Sequence, residues 1–150
     1  MYESVYRVLL GRVVGGRGME RCYAYVLLLQ LRNGLCLTDA LRAYSLIIRT
    51  GVSSVELVLA SGRRRVVVAP EGVEVPVCLE LLGDVRRVAD RVRKYARSLG
   101  LSVRGLRRAF VDFMLRRGFQ LEDVARVLGY SNPSVLRRRL ARGSEDLSVV

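Results

Sequence analysis

Residues 121–139 read "LEDVARVLGYSNPSVLRRR". Leu121, Val124, Ala125 and Leu128 fall at i, i+3, i+4 and i+7, which sets them on one face of a helix. Glu122 and Asp123 occupy its first turn, where the macrodipole favours acids, and Gly129 ends it. Asn132 is a favourable N-cap, and Pro133 has a fixed φ already suited to a first helical residue. The spacing predicts helix, tight turn, helix.

Working outward, "SVRGLRRAFVDFMLRRG" (102–118) predicts a further helix, apolar at 106, 110, 113 and 114 and closed by Gly118. Residues 76–100 keep helical spacing through Leu79, Leu82, Val85, Val88 and Val92, with arginines opposite, and read as one helix. "SSVELVLASGRRRVVVAP" (53–70) changes period: two β-branched runs, at about 55–60 and 65–69, predict a β-hairpin with an arginine-rich turn. Residues 20–31 are almost continuously apolar, as in a buried helix stopped by Gly34, and "LTDALRAYSLI" (37–47) offers Thr38 or Asp39 to cap the next. The four glycines of "LLGRVVGGRG" match neither the Walker spacing nor GxGxxG, so residues 1–19 are expected to be a flexible segment. Residues 143–150 are expected to be a loose tail. The expectation is an α+β, mainly α fold: a helical bundle with a small antiparallel hairpin, forming a single domain over residues 20–142 with a helix-turn-helix-like C-terminal unit.

The 150 residues hold 26 Lys and Arg, of which Lys94 is the one lysine, against 14 acids, for a net charge of +12. So basic a domain points to a polyanion, and double-stranded DNA is the leading partner. A membrane partner is not supported, because the longest apolar run, "YAYVLLL" (23–29), falls far short of the roughly 20 residues a spanning helix needs. No signal-peptide order opens the chain, and a cytoplasmic, nucleoid-associated protein is expected. The preference for Arg over Lys fits an archaeal-like, heat-adapted or GC-rich source. Histidine is absent, which removes every mechanism that needs one as acid or base. Cys22, Cys36 and Cys78 are odd in number and widely spaced, and read as buried thiols rather than a disulfide or a zinc site. No metal, cofactor or small-molecule substrate is implied.

Charge is concentrated. Residues 101–142 carry ten arginines against three acids, a net +7. In a helix-turn-helix the second helix enters the major groove with its N-terminal side chains on base edges and its later basic residues on phosphates. Those positions are Ser131, Asn132 and Ser134, then Arg137, Arg138 and Arg139.

The run "GLRRAFVDFMLRRGFQLEDVARVLGYSNPSV" resembles the C-terminal half of tyrosine recombinases of the phage-integrase type, where a His-x-x-Arg segment precedes an amphipathic helix and a Leu-Gly-His-Ser turn. "LLLQLRNGLCLTDAL" is similar to the family's Leu-rich helix and first-arginine motif, and "VELVLASGRRRVVVAP" to its lysine-bearing hairpin. The resemblance spans roughly residues 20 to 140. It implies a recombinase-like catalytic-domain fold and affinity for DNA.

It does not imply catalysis. The family's first arginine falls on Cys36, the hairpin lysine has no counterpart, the His of His-x-x-Arg falls on Arg104, the turn His on Tyr130 and the nucleophilic tyrosine on Arg139; Arg107 is kept. Guanidinium stays protonated and cannot attack a phosphodiester. The expectation is a non-catalytic protein gripping phosphate with Arg63, Arg64, Arg65, Arg104, Arg107, Arg108 and Arg139, with Tyr130 packed in its turn or on a phosphate. The stretch ahead of the resemblance is too short for a second, clamp-closing domain, so tight binding is expected to require a homodimer, a partner recombinase or many phosphate contacts. A helix-turn-helix transcription regulator of arabinose-operon type is the alternative, and an active site-specific recombinase the enzymatic one. Strands near 55–69 separate the first from the purely helical regulators.

Overall fold

A computed structural model describes residues 1–59, 62–144 and 146–147. Seven helices and one two-stranded sheet are seen among them.

Helix α2 (Met19–Asn33) is the axis of the molecule: Cys22 and every residue from 24 to 31 are buried, so its apolar run is wrapped on all sides. It ends on Gly34, whose left-handed φ of 68° closes the helix, as the sequence predicts. Asn33, itself buried, fastens the sheet to this end: its Nδ2 donates to the carbonyl of Val68 at 2.9 Å and its Oδ1 accepts from the Val68 N–H at 3.0 Å.

The N-terminus corrects an expectation. Residues 2–15 are not a flexible segment but helix α1 (Tyr2–Gly15), whose Tyr2, Val5, Leu9 and Val13 form a buried stripe against α2. The glycines at 15, 16 and 18 break the chain after this helix rather than loosening it throughout. Helix α3 (Leu37–Thr50) begins with Cys36 at its N-cap position and no side-chain cap. The expected cap Asp39 lies in the first turn instead, mostly buried and 2.9 Å from Arg42 Nη1.

Strands β1 (Ser54–Val58) and β2 (Arg64–Val68) form the expected hairpin about one residue earlier than its spacing suggests, antiparallel with Ser54 opposite Val68 and Leu57 opposite Arg65. Val55, Leu57 and Val67 turn inward. The long helix expected over 76–100 is divided. A 3-10 turn (Leu79–Leu82) leads through Gly83 to Asp84, whose carboxylate accepts from the Arg86 N–H at 2.9 Å and starts helix α4 (Val85–Ser98). An internal cap outweighs continuous apolar spacing here. Leu79, expected on the buried stripe, is 70% exposed.

The cysteine reading is corrected too: Cys22 and Cys78 are joined in a disulfide with Cα atoms 6.3 Å apart, and only Cys36 is free. Two residues 56 positions apart can meet this way only once α2 and the 76–78 loop are packed together. Tyr44 supports the junction, its hydroxyl donating to the Pro76 carbonyl at 2.7 Å and accepting from the Cys78 N–H at 2.9 Å.

Helix α5 (Val103–Arg116) starts on Ser102, whose hydroxyl accepts from the Gly105 N–H at 3.2 Å. Then come α6 (Leu121–Leu128), the Gly129 stop at φ 96°, and α7 (Pro133–Ala141), capped by Asn132. The described part of the tail is not loose. Leu147 is 2% exposed within the core, and Ser144 accepts a hydrogen bond from Arg108 at 2.8 Å.

Candidate nucleic-acid interface

The residues singled out by sequence fall into three groups. The first surrounds a cleft of about 340 Å³ whose lining includes Cys36, Arg93, Arg104, Arg107, Asp146 and Leu147. Position 107 faces inward on α5 because Leu106, Ala109 and Phe110 pack the same helix against the core; Arg107 itself is 8% exposed. Its Nη2 donates to the Leu128 carbonyl at 2.8 Å, while its Nε is buried with no hydrogen-bond partner among the described residues.

Arg65 of the hairpin feels the charge of Arg107 but lines the neighbouring groove beside Phe110 and Phe113 rather than this cleft. Alternation along β2 puts Arg64 outside and Arg65 half inside, its Nε also buried and unpartnered among the described residues, while Arg63, just ahead of the strand, is exposed. Burial draws the Arg65 guanidinium down to about 10, and the neighbouring Arg107 charge adds to this, opposed by Asp39. Arg107 is lowered in turn, chiefly by burial, against the stabilising fields of Cys36, Tyr130, Asp39 and Asp146. Cys36 donates its thiol to Asp39 Oδ2 at 3.2 Å, and burial pushes that thiol up, which disfavours the reactive thiolate.

The second group is structural rather than available to a ligand. Tyr130 is buried; its hydroxyl donates to the Leu147 carbonyl at 2.7 Å and lies 3.3 Å from Arg139 Nη1, whose guanidinium carbon sits 6.0 Å from the ring centroid. Burial raises the Tyr130 phenol, against the lowering fields of Arg139 and Arg107. The residue therefore packs in the turn and does not reach a phosphate. Arg108 is likewise tied down, 3.1 Å from Asp112 and bonded to Ser144.

The third group is exposed. Arg63, Arg64, Arg104, Arg137 and Arg138 stand in solvent, with Arg64 3.1 Å from Glu56 and Arg137 3.3 Å from Glu122. These pairs are exposed and weak, easily exchanged for phosphate. In the turn, Ser131 is open to solvent, whereas Asn132 Oδ1 accepts from both the Ser134 N–H and the Ser134 hydroxyl, so part of this expected base-reading set is used to hold the α7 start.

Sequence reasoning missed Arg93 of α4. Arg86, Arg93 and Arg97, at i, i+7 and i+11, form one stripe, a signal present in the spacing but read only as a solvated face. Asp146, in the supposedly loose tail, had no such signal.

No family model, no curated protein and no solved structure matches this chain. Among the described residues no helix is long and apolar enough to cross a membrane.

Proposed function

We propose that this chain is a non-catalytic double-stranded-DNA-binding protein on a recombinase-like fold, acting in chromosome organisation, regulation or as an accessory to a mobile element. The observation that carries the reading is that Arg65 and Arg107 are two largely desolvated cations, each with a buried Nε unpartnered among the described residues, and that the charge of Arg107 is felt at Arg65. Burying cations without full compensation is costly, and a bound anion removes the cost. Phosphate suits the site, since guanidinium forks match its oxygens and exposed Arg104, Arg93 and Arg63 extend the same charge outward. Arg137 and Arg138 on α7 add grip beside the turn.

Of the positions that the resemblance pairs with the family's catalytic set, Cys36, Arg104 and Arg107 line the cleft, and Tyr130 and Arg139 follow through the Leu128 turn. This proximity supports the recombinase-like reading over a helix-turn-helix regulator, for which the hairpin would have no role. Strand cleavage has no agent here. Arg139 cannot attack, and Tyr130 is a buried phenol of raised pKa whose hydroxyl is already engaged.

The test is affinity for a random-sequence duplex across a salt series, for the wild type and for an Arg63→Ala, Arg104→Ala, Arg138→Ala variant. A slope several units steep in log K against log salt, shallower by about 0.9 for each lost phosphate contact, is expected. Absence of binding at low salt overturns the DNA reading, and an SDS-resistant adduct on a nicked suicide duplex overturns the non-catalytic one.

A further inference from the structure

Acids are not distributed like cations in this chain. Residues 66–85 contain Glu71, Glu74, Glu80 and Asp84 and no Lys or Arg. Outside the tail, these four are also the acids that form no ion pair among the described residues: Glu3, Glu20, Asp39, Glu56, Asp90, Asp112, Glu122 and Asp123 each lie within 4.0 Å of an arginine. On a protein of charge +12 this stretch is a ledge of locally excess negative charge, with Arg21 of α2 the cation that lines a hollow beside Val77 and Glu80. The ledge also carries apolar knobs. Val77 is 64% and Leu79 70% exposed, on an irregular stretch between Pro76 and the 3-10 turn.

At the far end of α2 is a surface of complementary character. A groove of about 550 Å³ is walled by Tyr6, Val66, Phe113, Met114, Phe119 and Val127. Val66 is 56% and Phe119 52% exposed, so this is an apolar surface left open to water. Its rim is cationic: Arg32 and Arg65 line it, Arg117 lies 5.3 Å over the Phe113 ring, and Arg116, just before it, is 4.0 Å from Glu3. Arg32 and Arg117 form no ion pair among the described residues, leaving positive charge where the ledge offers unpaired negative charge.

We propose that the acidic ledge of one copy, residues 71–80, docks by Val77 and Leu79 into this aromatic groove of a second copy, joining chains head to tail. One chain cannot fill its own groove. The ledge is bonded through Cys78 to Cys22 near the start of α2, the groove opens at Arg32 near its end, and the helix between them rises roughly 15 Å. Charge favours this contact over one that pairs basic face with basic face, because it sets the acids of one copy against the arginines of the other. A joined pair keeps one ledge and one groove unused, so head-to-tail joining is open-ended. The contact does not depend on DNA.

Sedimentation equilibrium without DNA, at about 0.15 M salt so that long-range repulsion is screened beyond roughly 8 Å, tests this. The wild-type weight-average mass is expected to climb above that of one chain as concentration rises. Leu79→Arg puts a cation against the cationic rim, and Phe119→Asp puts an acid against the ledge. Each should cut the association constant at least about tenfold while melting like wild type, because both side chains are exposed. An equimolar mixture of the two, which retains one intact ledge and one intact groove, should associate again. A wild type that stays monomeric at every concentration overturns the proposal and leaves the groove to an acidic segment of another protein. A mixture that stays monomeric while the wild type associates overturns it as well, since association then uses a different face.

Discussion

Arg107 donates from Nη2 to the backbone carbonyl of Leu128 at 2.8 Å, a bond that ties α5 to the last turn of α6. That carbonyl is among those a helix C-terminus leaves without an internal partner, and a cation there also meets the negative end of the macrodipole. The arginine that faces the cleft with one nitrogen thus fixes the helix-turn-helix unit with another, so the cleft and α7 keep a set relation. Arg107→Ala is expected to lose about 1.5–3 kcal/mol, the usual worth of a hydrogen bond to a charged group. Arg107→Lys should recover only part of this, lacking the planar fork. Urea melts would show it as a lower midpoint at unchanged slope, and an unshifted midpoint for the alanine variant would refute the tie.

The C-terminal half of the fold was legible because its signals are local. Ser102, Gly118, Gly129 and Asn132-Pro133 punctuate helices by backbone chemistry that needs no tertiary context. What was illegible depends on distant partners. In α1 the apolar residues lie on more than one face, and the stripe of Tyr2, Val5, Leu9 and Val13 becomes a helix worth forming once α2 covers it. Leu147 is buried because Tyr130 and Arg108 hold the tail, not because of its neighbours in sequence. In the candidate site the sequence named a set of arginines without ranking their exposure. Only the strand register separates half-buried Arg65 from exposed Arg64, and only packing converts Tyr130 and Arg108 from expected phosphate contacts into supports.

Alkali should expose the cost of Tyr25. Its ring is wholly buried, its hydroxyl has no hydrogen-bond partner among the described residues, and burial pushes its phenol up to about 12 from the ordinary 10.0. A group whose folded pKa is raised binds its proton more tightly when folded. Its contribution is therefore complete below about pH 10 and is lost as pH climbs from there to about 12. Tyr25→Phe is expected to raise stability at neutral pH by about 1 kcal/mol, by removing a stranded hydroxyl, and to flatten the alkaline decline. Thermal melts at stepped pH decide it. A less stable Phe variant with an unchanged pH profile would mean that the hydroxyl has a partner.

The Cys22–Cys78 bond should be a major stabiliser. The chain-entropy account gives about 4 kcal/mol for closing a loop from residue 22 to 78, and the bond also holds the acidic ledge in place. Reduction, or a Cys22→Ala, Cys78→Ala double variant, is expected to lower the melting temperature by more than 10 °C, at about 2–4 °C or more per kcal/mol. Reductant should leave the double variant's melt unchanged. A wild-type melt insensitive to reductant would show that the bridge contributes little.

Gly34 separates backbone strain from packing. It closes α2 with φ 68°, and a Cβ built on it would fall on the Phe110 ring, so substitution meets two penalties at once. Gly51 closes α3 with nearly the same φ, 71°, but a Cβ there meets nothing within 4 Å. Gly51→Ala should therefore cost only the left-handed penalty of about 1–2 kcal/mol. Gly34→Ala adds overpacking against an aromatic ring that is itself 4% exposed in the core, for a total of about 2–5 kcal/mol. The difference between the two variants in denaturant melts measures the Phe110 contact. If Phe110→Leu, which shortens the ring's reach, narrows that difference, the contact is steric; equal losses at both glycines would show that α2 and α5 part easily, and that Arg107 is not held at a fixed distance from the hairpin.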